Sequence, residues 1–323
     1  MRSGRRVTAV AVLLALGSAT CFALGAALQQ RAVRREPRHP TFDPRLFLLL
    51  LRRRRWLFAK VPDLSGTAMQ ALALRFGPIT LVQPLLIMGM FLAIPLEAAL
   101  DRRRPHPRDV AAVTVCVIGL GAFLAVAQPR PGVPEPSPLA WIAVGAGGGS
   151  LVVACLALAH RATNALRGTL LGIATGLLYA GVASLLKTFT ERVVADPFGV
   201  FADWHLYALI LVGFGGVALN QNAFQNGPLA APLTAITLVD PIGSVVIGVT
   251  AFHERLSIGG LRLVVEVPAA LAMVLGVLLA STRTEGRSGS GDSPGPPPDR
   301  QGTDARPSPG SAGRNGRHVG GGE

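Results

Sequence analysis

The sequence predicts an all-α polytopic membrane protein of about nine transmembrane helices, arranged as inverted four-helix repeats joined by a linking helix. Three observations carry this. Half of the 323 residues are hydrophobic and only 15% are charged, against about 25% in a soluble domain. Apolar runs of bilayer-crossing length recur along the chain, without the short alternating segments of barrel strands. Finally, short patterns reappear in the same order 149 to 155 residues apart.

The first span is read at residues 7–29. A secretory signal is the competing reading, because Arg2, Arg5 and Arg6 precede an apolar core. The apolar run continues to Leu28 with no small-residue cleavage site before a polar mature start, so a span is preferred. Residues 31–55 carry nine arginines around a short apolar insert, 47–51, which can lie at the headgroup level. Further spans are expected at 56–74, 78–100 and 109–127. A Pro-rich link precedes the linking helix at 139–159, and 166–188, 206–225, 229–252 and 261–280 complete the set. The transmembrane domain thus covers 1–281, with repeat 1 at about 7–128 and repeat 2 at about 166–281. Residues 282–323 are Gly, Pro, Ser and Arg with almost no apolar side chains. Such a tail cannot bury a core and is expected to be disordered and cytoplasmic.

The net charge of +13 sits in loops and tail. That distribution marks membrane topology and contact with anionic lipid rather than nucleic-acid binding. With the N-terminus outside and nine spans, 21 of the 31 Lys and Arg fall inside. The expectation is a multi-pass protein of the plasma (cell inner) membrane, N-out and C-in. Cys21, Cys116 and Cys155 each lie in an apolar run with no CxxC or Cys/His cluster, so no zinc site or disulfide framework is expected.

The repeat is read from Leu16-Gly17-Ser18-Ala19-Thr20 against Leu171-Gly172-Ile173-Ala174-Thr175, and from Gly77-Pro78 against Gly227-Pro228. A single extra helix between copies turns the second upside down. Inverted repeats with interrupted helices are a transporter architecture. Gly168, Gly172 and Gly176, and likewise Gly17, Cys21 and Gly25, recur every four residues, a spacing for close helix packing.

Polar groups deep in apolar spans are candidate site residues. Asp240 lies near the middle of 229–252, before Pro241. Asp-Pro suits an N-cap followed by a first helical position, so the helix is expected to break there. Two readings of Asp240 stand side by side: it binds a cation or proton, or it caps the break. Asn220, Gln221, Asn222 and Gln225 form an amide cluster, with Gln70 and Gln83 as first-repeat counterparts in kind. The amides and Asp240 are expected at a midplane interface facing the second and third spans. Asp63 and Glu266 are the other deep carboxylates, and Asp240 with Asp63 is a speculative metal pair. Hinges or helix breaks are expected at Pro84, Pro241, Pro268, Gly227 and Pro228. Lys187 reads as a helix-end residue that snorkels to the interface. No HExxH, GxSxG, Walker A or GxGxxG pattern is present, so neither an enzyme, an ATP-driven pump nor a bound cofactor is expected.

The turn Phe252-His253-Glu254-Arg255-Leu256-Ser257 resembles the acidic Glu-Arg-Leu turn between the last two helices of the drug/metabolite transporter (EamA-like) superfamily. The closing Gly276-Val277-Leu278-Leu279 is similar to its pattern too. Residues 77–85 and 220–232 look most like its nine-helix, NIPA-like magnesium-transporter branch. The first repeat departs from the motif, ending in Asp101-Arg102-Arg103-Arg104. The resemblance implies a secondary transporter working by alternating access, with Mg²⁺ or another small cation as substrate. Export of a small metabolite, amine or drug is the alternative. A non-transporting membrane scaffold or sensor is the reading from another class. The expected partners are the lipid bilayer, a small solute or cation, and, as a further expectation, a second copy of the chain.

Overall fold

The computed structural model describes residues 2–33, 54–89, 92, 114, 117–122, 128–162, 164–225 and 230–256. The expected span 261–280, the tail, Glu266, Pro268, Gly227, Pro228 and most of 93–127 lie outside the described residues.

Seven helices can be followed: α1 (Arg2–Val33), α2 (Arg54–Phe76), α3 (Ile79–Leu86), α4 (Pro138–Arg161), α5 (Asn164–Ala195), α6 (Trp204–Gln225) and α7 (Ala230–Thr250). A short 3₁₀ turn, Gly199–Ala202, joins α5 to α6. Among the described residues, five stretches are long and apolar enough to cross a membrane: Arg6–Gly25, Pro138–Arg161, Leu166–Ala195, Trp204–Ala223 and Ala231–Thr250. The described part is therefore a helical, membrane-embedded protein. α2 has the length of a span, but Lys60, Asp63 and Arg75 dilute its apolar character.

Lipid is as apolar as leucine, so helices associate here by close packing. On α1, Ala11, Ala15, Ala19 and Ala23 recur every four residues and are all buried. On a neighbouring face α2 packs antiparallel: Gly17 faces Met69, and Gly66 faces Cys21 and Phe22. Ser18 Oγ fixes the pair by donating to Gly66 O at 2.7 Å. On α5, Gly168, Gly172 and Gly176 line the seam with α7, which runs parallel to it. A Cβ on Gly172 would stand 2.7 Å from Pro232 O, so only glycine permits this approach. α6 runs antiparallel to α5, with Gly216 against the Tyr179 ring and Gly213 near Val182. α4 is apolar yet barely buried by protein, the surface of a helix that faces lipid. Ser137 caps it, its Oγ accepting from Ala140 N at 3.2 Å, with Pro138 at the first helical position.

The directions form a pattern. α2 is antiparallel to α1, while α3 runs parallel to it, with Gly77 against Ala11 and Gly89 against Ala19. α6 and α7 bear the same relations to α5. Yet α5 ends where α3 begins, so the second trio points the opposite way from the first. The end at which α1 begins is called the upper end below.

One expected helix break is corrected. α7 is continuous from Ala230 to Thr250 with Pro241 inside it. Pro241 lacks one N–H and so removes one backbone bond. Breaking the helix would strand several more polar groups in apolar surroundings, which costs more. α3 contains Pro84 and ends two residues later at Leu86, with Ile87 in right-handed helical geometry (φ −57°, ψ −30°). The real interruption is at Gly77-Pro78, between α2 and α3, where Pro78 is extended (φ −68°, ψ 151°).

Candidate functional site: a buried ion pair at the upper end

The interruption at Gly77-Pro78 leaves the first N–H groups of α3 without partners in their own helix. Pro78 stands at the N-cap and has no side-chain acceptor. The acceptor arrives from 175 residues away. Glu254 Oε1 accepts from Ile79 N at 2.7 Å, and Oε2 from Thr80 N at 2.9 Å. Lys187 Nζ of α5 completes the set, donating to Glu254 Oε1 at 2.7 Å. The Lys187 side chain is 6% exposed and that of Glu254 0%. The Phe252 ring lies 4.8 Å from the Lys187 ammonium, a distance for cation–π attraction.

Local turns deliver Glu254 to this place. After α7 the chain reverses at His253 (φ 52°), and Glu254 N donates to Gly248 O at 2.9 Å. The link before α4 holds this turn from outside. Arg130 and Arg255 form an antiparallel bridge, and Val133 N donates to Phe252 O at 2.7 Å. Two close approaches need glycine. A Cβ on Gly132 would lie 2.0 Å from Phe252 O, and one on Gly248 would lie 2.7 Å from Glu254 Oε2.

An aromatic group flanks the pair. Trp141 meets Phe252, Trp204 and His205 edge-on, at centroid distances of 6.3, 5.6 and 5.3 Å. Asp203 caps α6 by accepting from His205 N at 2.9 Å, and it also engages the His205 ring and Arg192. Burial raises the Asp203 carboxyl pKa. The His205 backbone and ring hydrogen bonds, with the His205 and Arg192 charges, outweigh that and hold it below the ordinary carboxylate value. Arg75–Glu191 and Arg192–Glu135 ion pairs ring the same end. Below the aromatic group lies a cavity of about 570 Å³ between α4 and α5–α7, walled by apolar residues such as Val144, Leu178, Val212 and Ile247.

Among the described residues, four buried polar atoms at this end have no hydrogen-bond partner: Thr80 Oγ1, Gln83 Nε2, Trp141 Nε1 and His205 Nε2. Each such group costs about 1–3 kcal/mol relative to a satisfied one.

The sequence-predicted residues fall elsewhere or only partly here. Gln83 is buried on α3, one turn past Thr80. Asp240 is half-buried, ten residues before the end of α7, or about 15 Å below it. It is not an N-cap, and its Oδ1 accepts from Ser244 Oγ at 3.3 Å. Asp63 and Gln70 are half-buried on α2, with the Asp63 carboxylate packed against Gly25 of α1. Among the described residues no three His, Cys, Asp or Glu side chains gather as a metal site. Asn220 is half-buried and Gln221 and Asn222 are exposed. They occupy the last two turns of α6, near the lower end, rather than the midplane. Among the described residues α6 packs chiefly on α5, its neighbour through a short link. Asn222 Nδ2 donates to Ala218 O of its own helix. The Gln225 side chain lies outside the described residues.

Sequence reasoning passed over Lys187 and Glu254. Ending the span at 188 put Lys187 at a helix end, whereas α5 runs on to Ala195 and sets it about 12 Å inside. The available signal was a lone lysine among Ser184, Leu185, Leu186 and Thr188, with a single acidic residue after the Phe252-His253 turn.

No protein-family model matches the chain, and no solved structure matches it. The chain is similar to an uncharacterized protein of Corynebacterium glutamicum, 26% identical over 282 residues, which are 87% of this chain and 98% of that one.

Proposed function

We propose that this protein is a secondary transporter that moves a small solute across the plasma membrane by alternating access, in the manner of the drug/metabolite transporters it resembles. The observation that carries the reading is that two trios of helices, alike in internal arrangement and opposite in direction, meet at the upper end through the Glu254 carboxylate, which pairs with Lys187 of the second trio and caps α3 of the first. Opposed repeats rocking about a shared seam are a physical basis for alternating access. A bonded, water-free contact across that seam is what a closed gate requires. The nine-span repeat architecture belongs to this proposal. So does N-out topology: α1 ends and α2 begins at the lower end, and the sequence that joins them is rich in arginine, the charge that marks the inside.

Two substrate readings were open, Mg²⁺ or another small cation, and a small organic metabolite, amine or drug. The apolar cavity and the cluster of N–H donors at the upper end support the organic solute. The test is flux in proteoliposomes holding the full chain, with Mg²⁺, amine, amino-acid and organic-acid panels under imposed gradients. Saturable flux that falls when Arg75→Cys and Glu191→Cys, at a pair that spans the same seam, are locked by a cross-link supports the reading. Absence of flux for every panel would leave the scaffold or sensor reading in its place.

A further inference from the structure

We propose that the donors now gathered around Glu254 form a binding site for the carboxylate of a small organic acid or amino acid, which Glu254 occupies as an internal stand-in when the upper end is closed. This rests on the transporter reading and names the substrate class for it.

The site is built for a carboxylate. Two adjacent backbone N–H groups at the start of α3 each meet one oxygen of the Glu254 carboxylate, and one buried ammonium balances its single charge. The positive end of the helix dipole adds to the attraction. A purely structural cap would stop there. Here the same helix carries two more side-chain donors, within its first two turns, with nothing to bind among the described residues. Thr80 is 0% and Gln83 3% exposed, and Thr80 Oγ1 and Gln83 Nε2 have no partner.

The spare Thr80 hydroxyl follows from the interruption. Elsewhere in these helices, Thr20, Thr175, Ser184, Thr237 and Thr250 donate to the carbonyl four residues back. For Thr80 that residue is Phe76, across the break at Gly77-Pro78. Gln83 sits three residues on, so its amide shares a face with Thr80 about 4.5 Å deeper. Donors in that arrangement suit a solute with a further oxygen near its carboxylate, as in a hydroxy or keto acid.

The stand-in can leave without unwinding a helix, and a solute carboxylate would replace it on the same donors. Glu254 is on a turn after α7, not within a helix, and its turn is held by the Arg130–Arg255 bridge and the Val133 bond. Its departure frees Ile79 N, Thr80 N and Lys187 Nζ together and unwinds no helix.

The test is chemical rescue of the full chain in nanodiscs, read as thermal stability against sodium acetate, sodium lactate, acetamide and sodium chloride. Glu254→Ala is expected to gain stability with acetate at a midpoint concentration at least tenfold below that of the native chain. Acetamide and chloride are expected to do nothing, and Glu254→Ala with Lys187→Met to lose the response. A folded Glu254→Ala that shows no acetate-specific response overturns the site. Should that variant not fold, Thr80→Val and Gln83→Leu decide. Each should raise the melting temperature of the protein without solute, yet weaken the lactate response of the native background at least fivefold. Unchanged lactate response in both overturns the proposal. These readouts report binding, so they separate the two claims. Rescue without flux in proteoliposomes removes the transport reading and leaves the site, whereas flux without a carboxylate response removes the site alone.

Discussion

The carboxylate of Glu254 accepts the backbone N–H of Ile79 at 2.7 Å across 175 residues of sequence. One side chain thereby caps a helix of the first trio while its other partner, Lys187, belongs to the second. The cap and the ion pair depend on each other. Without Lys187 the carboxylate would be a buried unpaired charge, and without Glu254 both the ammonium and two N–H groups would be.

Removal of one partner should therefore cost more than removal of both. Breaking a buried pair from one side typically costs about 3–5 kcal/mol, because a charge is left without its complement. Lys187→Met and Glu254→Gln are each expected to destabilise the chain by that order, with Glu254→Gln milder because its amide oxygen can still accept from Ile79 N. The double variant should recover part of the loss. Denaturant unfolding in mixed micelles measures the cycle, and strictly additive losses would show that the two side chains do not act as a pair.

Steric tests at glycine probe the same contact without altering charge. Gly248→Ala places a methyl 2.7 Å from Glu254 Oε2 and 2.9 Å from Thr80 Cγ2. Overpacking of this kind costs about 1–3 kcal/mol. Gly132→Ala meets backbone at 2.0 Å and should be at least as damaging. Gly147→Ala is the internal control. Nothing lies within 4 Å of its added Cβ, and alanine favours a helix over glycine by up to ~1 kcal/mol. Thermal melts of the three variants should rank Gly147→Ala at or above the native chain and the other two well below it.

Asp203 sets an acid limit on the upper end. Its folded pKa lies below its ordinary value of 3.8. A carboxylate shifted this way adds stability that is fully present above the ordinary value and is lost as pH falls through the lower, folded one. Melting temperature should thus decline below about pH 4 in the native chain, and Asp203→Asn should flatten that part of the profile. It should also loosen the start of α6, where Asp203 accepts from His205 N. A profile identical to that of the native chain would remove Asp203 as the cause.

Much of the helical framework was legible because its signals are local. Four-residue spacing of Gly168, Gly172 and Gly176 foretold a close seam, and α7 fills it. Gly77-Pro78 foretold an interruption, since Pro disfavours helix at the residue before it. The site was not legible for the opposite reason. Glu254, Ile79, Lys187 and Trp141 are brought together only by tertiary packing, and no spacing in the chain announces it. Asp-Pro at 240–241 misled because its capping preference is a soluble-protein rule. In apolar surroundings the continuous helix wins. The amides of α6 misled because polar residues near a helix end can reach the interface.

Asp240 remains the test of coupling, now that its role as a cap is gone. Its carboxylate sits half-buried at mid-length of α7 and meets Ser244 Oγ at 3.3 Å, a long contact that holds it weakly. Asp240→Asn keeps the size and an oxygen that can still accept from Ser244, so stability should change by no more than about 1 kcal/mol. If the carboxylate carries a proton or cation during transport, solute flux in proteoliposomes should fall at least tenfold and lose its dependence on pH. Ser244→Ala separates the two roles, because it removes the contact and leaves the charge. Flux and pH profile unchanged in Asp240→Asn would assign Asp240 to packing and move the coupling to the Lys187–Glu254 pair.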